Sequence, residues 1–213
     1  MSDTARSDPA SDPSVLLTST YRRFVVVVSG PSGAGKSSFV KVLLDEGPEL
    51  RYSVSATTRA RRSHEVDGQD YFFLSREEFQ RRVDAGEFVE WAHVHGEMYG
   101  TLRSQTDEAL RQGKNVLLDV DVQGGKSVRE SYPEGVFIFV LPPTLDALEK
   151  RLRGRGTDSD ERIRLRLENA RREIPMAREY DYAVVNDDLA AASRKVVSIV
   201  WAETCRSSRR LTG

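Results

Sequence analysis

The sequence predicts an α/β fold built on a doubly wound, mostly parallel sheet with helices on both faces. Three observations predict it. Apolar, largely β-branched runs at Phe24–Val28, Val116–Val120, Val136–Leu141 and Tyr182–Val185 alternate with segments of helical periodicity, the pattern of repeated βα units. The first run passes directly into Gly30-Pro-Ser-Gly-Ala-Gly35-Lys36-Ser37, a G-x-x-x-x-G-K-S loop that opens a helix. From Arg51 to Leu74 the alternation lapses into short, polar-alternating pieces, which read as antiparallel strands of an inserted subdomain. No internal repeat is visible.

The elements follow in order. Residues 1–20 are rich in Ser, Asp, Thr and Pro, with Asp8-Pro9 and Asp12-Pro13. Such a composition buries too little surface to offset its ordering entropy and is expected to form a disordered tail. It has no basic segment followed by an apolar one, so it does not read as a signal peptide. A helix is expected from Lys36 to Glu46, with Phe39, Val40, Leu43 and Leu44 on one face and Gly47-Pro48 as its stop. Tyr52–Ala56 and Tyr71–Leu74 read as strands flanking a hydrophilic turn at Arg59–Gly68. Ser75-Arg-Glu-Glu78 is a capping box before a helix carrying Phe79 and Val83, ended by Gly86. Phe88–Val94 reads as a strand, His95-Gly96 as a turn, and Ser104–Gln112 as a helix closed by Gly113. A helix over Val122–Ser131 follows the second buried strand. Pro142-Pro143 stops the third, and Thr144 caps a helix to Arg153. After the break at Gly154-Arg-Gly156, Asp158-Ser-Asp-Glu161 reads as a capping box before a helix with Ile163, Leu167, Ala170 and Ile174 on one face. A last helix is expected over Leu189–Cys205.

Composition excludes several classes of function. With 32 basic and 33 acidic residues the formal charge is −1, so there is no global field for nucleic acid or an anionic membrane. The longest uninterrupted apolar run, Val136–Leu141, falls far short of the about 20 residues a membrane span needs. The lone Cys205 can form no intrachain disulfide, which fits a reducing cytoplasm. His64, His93 and His95 are too scattered for a metal site.

The glycine-rich loop carries the first piece of chemistry. Glycines at 30, 33 and 35 let backbone N–H groups turn inward where a Cβ would block a phosphate. The following helix directs its positive dipole end at the same point. Lys36 can reach β- and γ-phosphate oxygens, and the Ser37 hydroxyl can ligate Mg²⁺. Gly30, Ser32, Gly33, Ala34, Gly35, Lys36, Ser37 and Ser38 are therefore the expected ATP- and phosphate-binding residues, and the fold is of the P-loop NTPase type. The strand Val116–Val120 ends in Asp119-Val-Asp121, and a strand-end carboxylate is what organises Mg²⁺ in such folds. Either Asp119 or Asp121 can do so, directly or through water.

A P-loop alone does not say what receives the phosphoryl group. The second informative stretch is Thr57-Thr58-Arg59-Ala-Arg-Arg62-Ser-His-Glu65-Val-Asp-Gly68-Gln-Asp-Tyr71-Phe-Phe73. Two arginines three apart with a tyrosine nearby suit a second phosphate, the arginines offering forked donors and the tyrosine a neutral one. The spacing resembles the guanylate kinase signature T-[ST]-R-x-x-[KR]-x-x-[DE]-x-x-G-x-x-Y-x-[FY] at every specified position. Ser53-Val-Ser55, Phe88-Val-Glu90-Trp91, Tyr99-Gly100-Thr101, Leu118-Asp-Val-Asp121, Gly154-Arg155-Gly-Thr and Val185-Asn186-Asp-Asp188 extend the resemblance over about residues 22–205.

The resemblance implies that Arg59, Arg62, Tyr71 and Tyr99 hold the GMP phosphate, and that Ser55, Glu90 and Thr101 read guanine with Asp121 close by. Thr101 stands where serine is usual in the family and keeps the hydroxyl. Glu65 either supports the arginine pair or contacts the nucleotide. Arg155 and Arg166 match the positions that close onto the phosphates, with Arg151 a further candidate. The implied parts are a core (21–52, 106–141 and 176–205), a GMP-binding insert (53–105), a helical lid (142–175) and a C-terminal tail (206–213).

The implied activity is ATP-dependent phosphorylation of GMP, with dGMP a further acceptor, by direct in-line transfer with Mg²⁺. Lys36, Arg59, Arg155 and Arg166 are the expected catalytic residues. Glu90 carries the base argument: its two acceptor oxygens match the adjacent N1–H and N2–H₂ donors of guanine, whereas adenine presents an acceptor in place of N1–H. A ribose bisphosphate acceptor would leave Ser55 and Glu90 nothing to read, and a non-catalytic scaffold domain of this type would typically have lost its P-loop lysine. The expected partners are ATP and GMP, with no nucleic acid and no membrane, in a cytoplasmic monomer or homodimer.

Overall fold

The computed structural model describes residues 21–94, 96–154 and 158–209. The expected tail over residues 1–20, Arg155 and the end of the C-terminal tail (210–213) lie outside the described residues.

Among the described residues, nine strands form two sheets. The larger has the order β2 (Leu50–Tyr52), β7 (Asn115–Asp119), β1 (Val25–Ser29), β8 (Val136–Leu141) and β9 (Tyr182–Val185). Every neighbouring pair in it is parallel. β1 is four valines followed by Ser29 and every residue is buried, as a central strand covered on both faces requires. The chain leaves β1 toward β2 and β7 on one side and returns through β8 on the other. That reversal opens a crevice at the C-terminal end of β1, where doubly wound sheets place ligands.

Alternation along β1 divides the core into two layers. Val26 and Val28 pack with Phe39 and Leu43 of α1 (Lys36–Glu46) and with Val196 and Val200 of α7 (Leu189–Thr204). Val25 and Val27 pack on the opposite face with Ala109 of α3 (Arg103–Arg111) and Val128 of α4 (Val122–Ser131).

The smaller sheet, in the order β4 (Phe72–Phe73), β3 (Ser55–Thr57), β6 (Glu97–Leu102) and β5 (Phe88–Val94), is carried between β2 and α3. It holds its own core of Ala56, Phe79, Phe88, Met98 and Leu102, with Phe79 supplied by α2 (Arg76–Asp84). Two expectations fail here. The run Tyr52–Ala56 is two strands: Tyr52 ends β2 in the large sheet and Ser55 begins β3 in the small one. The break follows Ser53, whose N–H donates to the Leu117 carbonyl at 3.0 Å. β4 also lies parallel to β3, with Ala56 opposite Phe72, because the Arg59–Gly68 segment crosses over instead of folding back as a hairpin. Strand β6 had no assignment from sequence, since Gly100 interrupts its pattern. That glycine is required by contact: a Cβ there would lie 2.8 Å from the Glu90 carbonyl oxygen.

Helix caps match the sequence pattern at most starts. Ser75 Oγ accepts from the Glu78 N–H at 3.1 Å, Asp121 Oδ1 from Gly124 at 2.7 Å, and Thr144 Oγ1 from Ala147 at 3.0 Å, ahead of α5 (Leu145–Gly154). The cap of α6 (Asp160–Glu173) is Ser159 and not Asp158, which frees Asp158 for an ion pair described below. Residues Ser207–Arg209, expected within a tail, form a 3₁₀ turn that buries Arg209. No described helix is long and apolar enough to cross a membrane.

Candidate active site

The loop between β1 and α1 is held from outside so that its inner side stays open. Gly35 precedes α1 with φ 105°, and a Cβ there would meet the Asn186 amide nitrogen at 2.3 Å. Only glycine satisfies both conditions. That amide donates to the Ala34 carbonyl at 2.7 Å, and Arg151 of α5 adds a bond to the same oxygen at 3.4 Å while reaching the Asn186 carbonyl at 2.8 Å. Two donors thus turn the Ala34 carbonyl outward. Gly30 and Gly33 also have positive φ, at 135° and 90°.

Lys36 folds back over this loop, its Nζ donating to the Gly30 carbonyl at 2.7 Å and to Pro31 at 3.4 Å. Ser32 and Ser37 are exposed and Ser38 half-buried. Ser38 donates its N–H to the Gly35 carbonyl at 3.1 Å in the first turn of α1. From α6, Arg166 reaches across to donate to Ser32 Oγ at 2.6 Å, and Asp158 holds the same guanidinium at 3.3 Å. The lid arginine chosen from sequence therefore already touches the phosphate loop. Arg155 lies outside the described residues.

The strand-end carboxylates differ. Burial pushes the Asp119 carboxyl above the usual carboxylate range, and the nearby Lys36 ammonium draws it part of the way back. Asp121 is exposed, and its Oδ1 is committed to capping α4. Both line the same cleft as Lys36.

Across the crevice the small sheet presents a second cluster. The Arg59 guanidinium lies over the Tyr71 and Phe73 rings, at 5.4 and 5.8 Å from their centroids. Tyr71 in turn meets Tyr99 edge-on, with centroids 6.0 Å apart. Burial is the main cause that raises Tyr71 above the ordinary phenol value, with Tyr99 adding to it and Arg59 opposing. Glu65 braces Arg59: one oxygen takes its Nη2 at 2.6 Å and the other the Arg62 N–H at 2.8 Å. Those bonds, the Arg59 contact first, depress Glu65 to about 2. The Arg62 side chain is 66% exposed, 4.0 Å from Glu65, and neither it nor Arg59 is among the residues lining the cleft that holds Tyr71 and Tyr99.

Ser55, Tyr71, Glu90 and Tyr99 line one cleft of about 270 Å³ together with Lys36, Asp119 and Asp121. Glu90 sits deep in its wall, where burial pushes its carboxyl up, the Thr101 hydroxyl pulls it back and Asp121 pushes it up further. Thr101 donates to Glu90 Oε1 at 2.6 Å. The cross-strand register sets Glu90 opposite Thr101, after a bulge between Phe88 and Glu90. Such a bulge re-aims the side chains that follow it.

Sequence reasoning missed three residues of this region. Tyr52 lines the cleft beside Asp119. Asn186, known to the sequence only as part of a motif block, braces the P-loop. Glu173, at the end of α6, borders an adjoining cavity with Asp121 and Asn169. Burial raises its carboxyl against the pull of Lys36. The spacing 166, 169 and 173 places Arg166, Asn169 and Glu173 on one helix face, a signal that was readable once Arg166 had been chosen.

Two phosphate-binding clusters facing one cleft are what transfer between nucleotides demands, and the sheet order with its P-loop makes this an α/β nucleotide kinase of the P-loop type. Comparison with known proteins narrows the class. The guanylate kinase family model matches residues 21–203. The chain is 48% identical over 185 residues to guanylate kinase of Symbiobacterium thermophilum, covering 87% of this chain and 88% of that protein. It is 50% identical over 183 residues to guanylate kinase of Syntrophotalea carbinolica, covering 86% and 87%. The crystal structure of guanylate kinase from Anaplasma phagocytophilum superposes with a TM-score of 0.73 at 33% identity, covering 91% of this chain and 93% of that one. The chain belongs to the guanylate kinase family, whose reaction is the ATP-dependent phosphorylation of GMP to GDP.

Proposed function

We propose that this chain transfers the γ-phosphoryl group of ATP directly to the phosphate of GMP or dGMP, in line and with Mg²⁺, releasing ADP. The observation that carries the reading is Glu90: a buried carboxylate, braced by Thr101, in the same cleft as Lys36 and the Tyr71–Tyr99 pair. Its oxygens accept N1–H and N2–H₂ of guanine, with Ser55 and Asp121 on the rim. Arg59, Arg62, Tyr71 and Tyr99 take the acceptor phosphate, Glu65 holding Arg59 in place. These contacts fall on base and phosphate, so the 2′-hydroxyl carries none of them and dGMP is accepted.

The P-loop residues 30–38 bind the ATP phosphates, with Lys36 and Arg166 neutralising charge as it develops. Arg155 adds to them from the lid. No general base is required, because the second pKa of a phosphate monoester lies near ~6 and the attacking oxygen is largely anionic at neutral pH. The insert (53–105) and lid (142–175) close over the core (21–52, 106–141 and 176–205) only when both substrates are present, which denies water the phosphoryl group.

The donor set fits Mg²⁺. Ser37 and Asp119 offer hard oxygens at the end of the phosphate loop, and no group of three or more His, Cys, Asp or Glu able to hold a metal occurs among the described residues. A cation that keeps waters and takes substrate phosphates as ligands suits so partial a shell. A metal held there would supply positive charge against that of the ATP phosphates. Ser37 and Asp119 would hold it, Asp119 directly or through water.

Coupled ADP-release assays with GMP, AMP, CMP and UMP test the reading. Efficiency for GMP should exceed that for AMP by ~10⁴-fold or more. Comparable use of AMP would remove Glu90 as the base reader, and no ADP release with any acceptor would remove the kinase reading.

A further inference from the structure

We propose that the hydroxyl of Tyr52 is a further donor to the acceptor phosphate, a third phenol beside those of Tyr71 and Tyr99. The inference rests on the GMP kinase reading above and deepens its acceptor site.

Placement comes first. Tyr52 is the last residue of β2 and pairs with Leu117 of β7. Asp119, two residues further along β7, projects from the same face of the sheet. The Tyr52 ring packs against the core under α1, yet the residue also lines the cleft together with Tyr71, Lys36 and Asp119, and both Asp119 and Tyr71 are close enough to act on its phenol. It thus borders the one cleft that Tyr71 and Tyr99 of the acceptor cluster share with Lys36 of the phosphate loop.

The state of the phenol suits that place. A phenol keeps its proton at neutral pH and can donate. No hydrogen bond among the described residues occupies the hydroxyl. A phenylalanine would fill the same apolar space against the core, so packing alone does not explain the oxygen. A dianionic phosphate between Tyr71 and Lys36 is an acceptor of the right sign, and a neutral donor to it adds no further positive charge to Arg59 and Lys36.

The test is Tyr52→Phe in the full chain, with thermal melting to verify the fold. Dissociation constants for GMP and for guanosine, which lacks the phosphate, are measured by calorimetry beside the KM for ATP and the Mg²⁺ dependence. GMP affinity should fall roughly tenfold, the scale of one hydrogen bond to a charged group, with guanosine affinity, ATP KM and Mg²⁺ dependence unchanged. The inference is overturned if GMP affinity stays within about twofold of wild type, or if guanosine loses as much as GMP, which would mark a packing defect. A shifted Mg²⁺ dependence with unaltered GMP binding would assign the hydroxyl to Asp119 and overturn it too. If wild type binds no GMP, the parent reading fails with it; if wild type binds and the variant binds equally, only the role of Tyr52 fails.

Discussion

The Thr101 hydroxyl donates to Glu90 Oε1 at 2.6 Å, so the carboxylate in the wall of the cleft is fixed in place before any base arrives. Glu90→Gln keeps this bond and the side-chain shape but turns one acceptor into an NH₂ donor facing a donor of guanine. Losing one charge-assisted bond and creating that clash should cost about 2–4 kcal/mol, ~30- to 1,000-fold in kcat/KM for GMP. ATP binding should hardly change. A GMP efficiency within about threefold of wild type would show that Glu90 does not read the base.

The same carboxylate gives a pH prediction. Its pKa lies above the ordinary 4.5, through burial first, and only the ionised form accepts two donors. Guanosine affinity should therefore begin to weaken, as pH falls, at a higher pH than an unperturbed glutamate would allow. Guanosine is the right probe because the GMP phosphate itself titrates near ~6. A binding curve that stays flat down to the ordinary carboxylate range would place Glu90 in a more open setting than its burial implies.

Much of this was legible in the sequence, and the misses have physical causes. The buried parallel strands and the P-loop stood out because continuous β-branched runs and a glycine-lysine-serine turn are local signals. The course of the chain from Tyr52 to Ser55 was not legible, because which sheet a short strand joins depends on hydrogen bonds to β7, far away in sequence. β6 stayed hidden for a similar reason: Gly100 weakens the local pattern, and only the close approach of the Glu90 carbonyl explains it. The bracing of the loop by Asn186 at Ala34, across 152 positions, leaves no trace in local spacing.

Glu65 shows how a buttress can be tested apart from a ligand contact. Both its oxygens are taken, by Arg59 and by the Arg62 N–H. Its depressed pKa, about 2 against an ordinary 4.5, means that its support is complete above 4.5 and is lost as pH falls toward 2. Glu65→Gln removes the charge and keeps the size. Efficiency with GMP should drop roughly three- to tenfold as Arg59 loses its brace, with little change in melting temperature. An unchanged efficiency would mean that Arg59 needs no support.

Stability should depend on the far end of the chain. Glu203 is buried and takes Arg209 through Nη2 at 3.0 Å, Arg206 at 2.7 Å and the Tyr182 hydroxyl at 2.5 Å. Arg209 also donates to the Glu134 carbonyl at 2.8 Å and lies over the Phe24 ring at 4.2 Å. Truncation after Cys205 leaves the buried carboxylate with Tyr182 alone. We expect a loss of about 2–4 kcal/mol, a melting point lower by roughly 5–10 °C, with GMP affinity of the folded fraction unaltered. A shift under about 2 °C would make residues 206–209 dispensable.

The P-loop lysine separates catalysis from folding. Lys36 Nζ spans 2.7 Å to the Gly30 carbonyl and acts on the Asp119 and Glu173 carboxyls, so it is tied into the loop even without ligand. Those ties are to groups at the edge of the cleft and not to the hydrophobic core, which closes around Phe39 and Leu43 one and two turns further along α1. Lys36→Ala should therefore fold, with a melting point within about 4 °C of wild type, the effect of roughly 1–2 kcal/mol in a chain of this size. Turnover is another matter, because the ammonium follows the charge that develops on the β- and γ-oxygens. The loss should be ~10³-fold or more in kcat. Lys36→Arg should recover little of it, since a planar guanidinium cannot enter a loop shaped for a compact ammonium. Both variants are to be assayed for GMP-dependent ADP release beside their melting curves. Retention of more than about a tenth of wild-type turnover by Lys36→Ala would mean that this loop does not stabilise the transferring phosphoryl group.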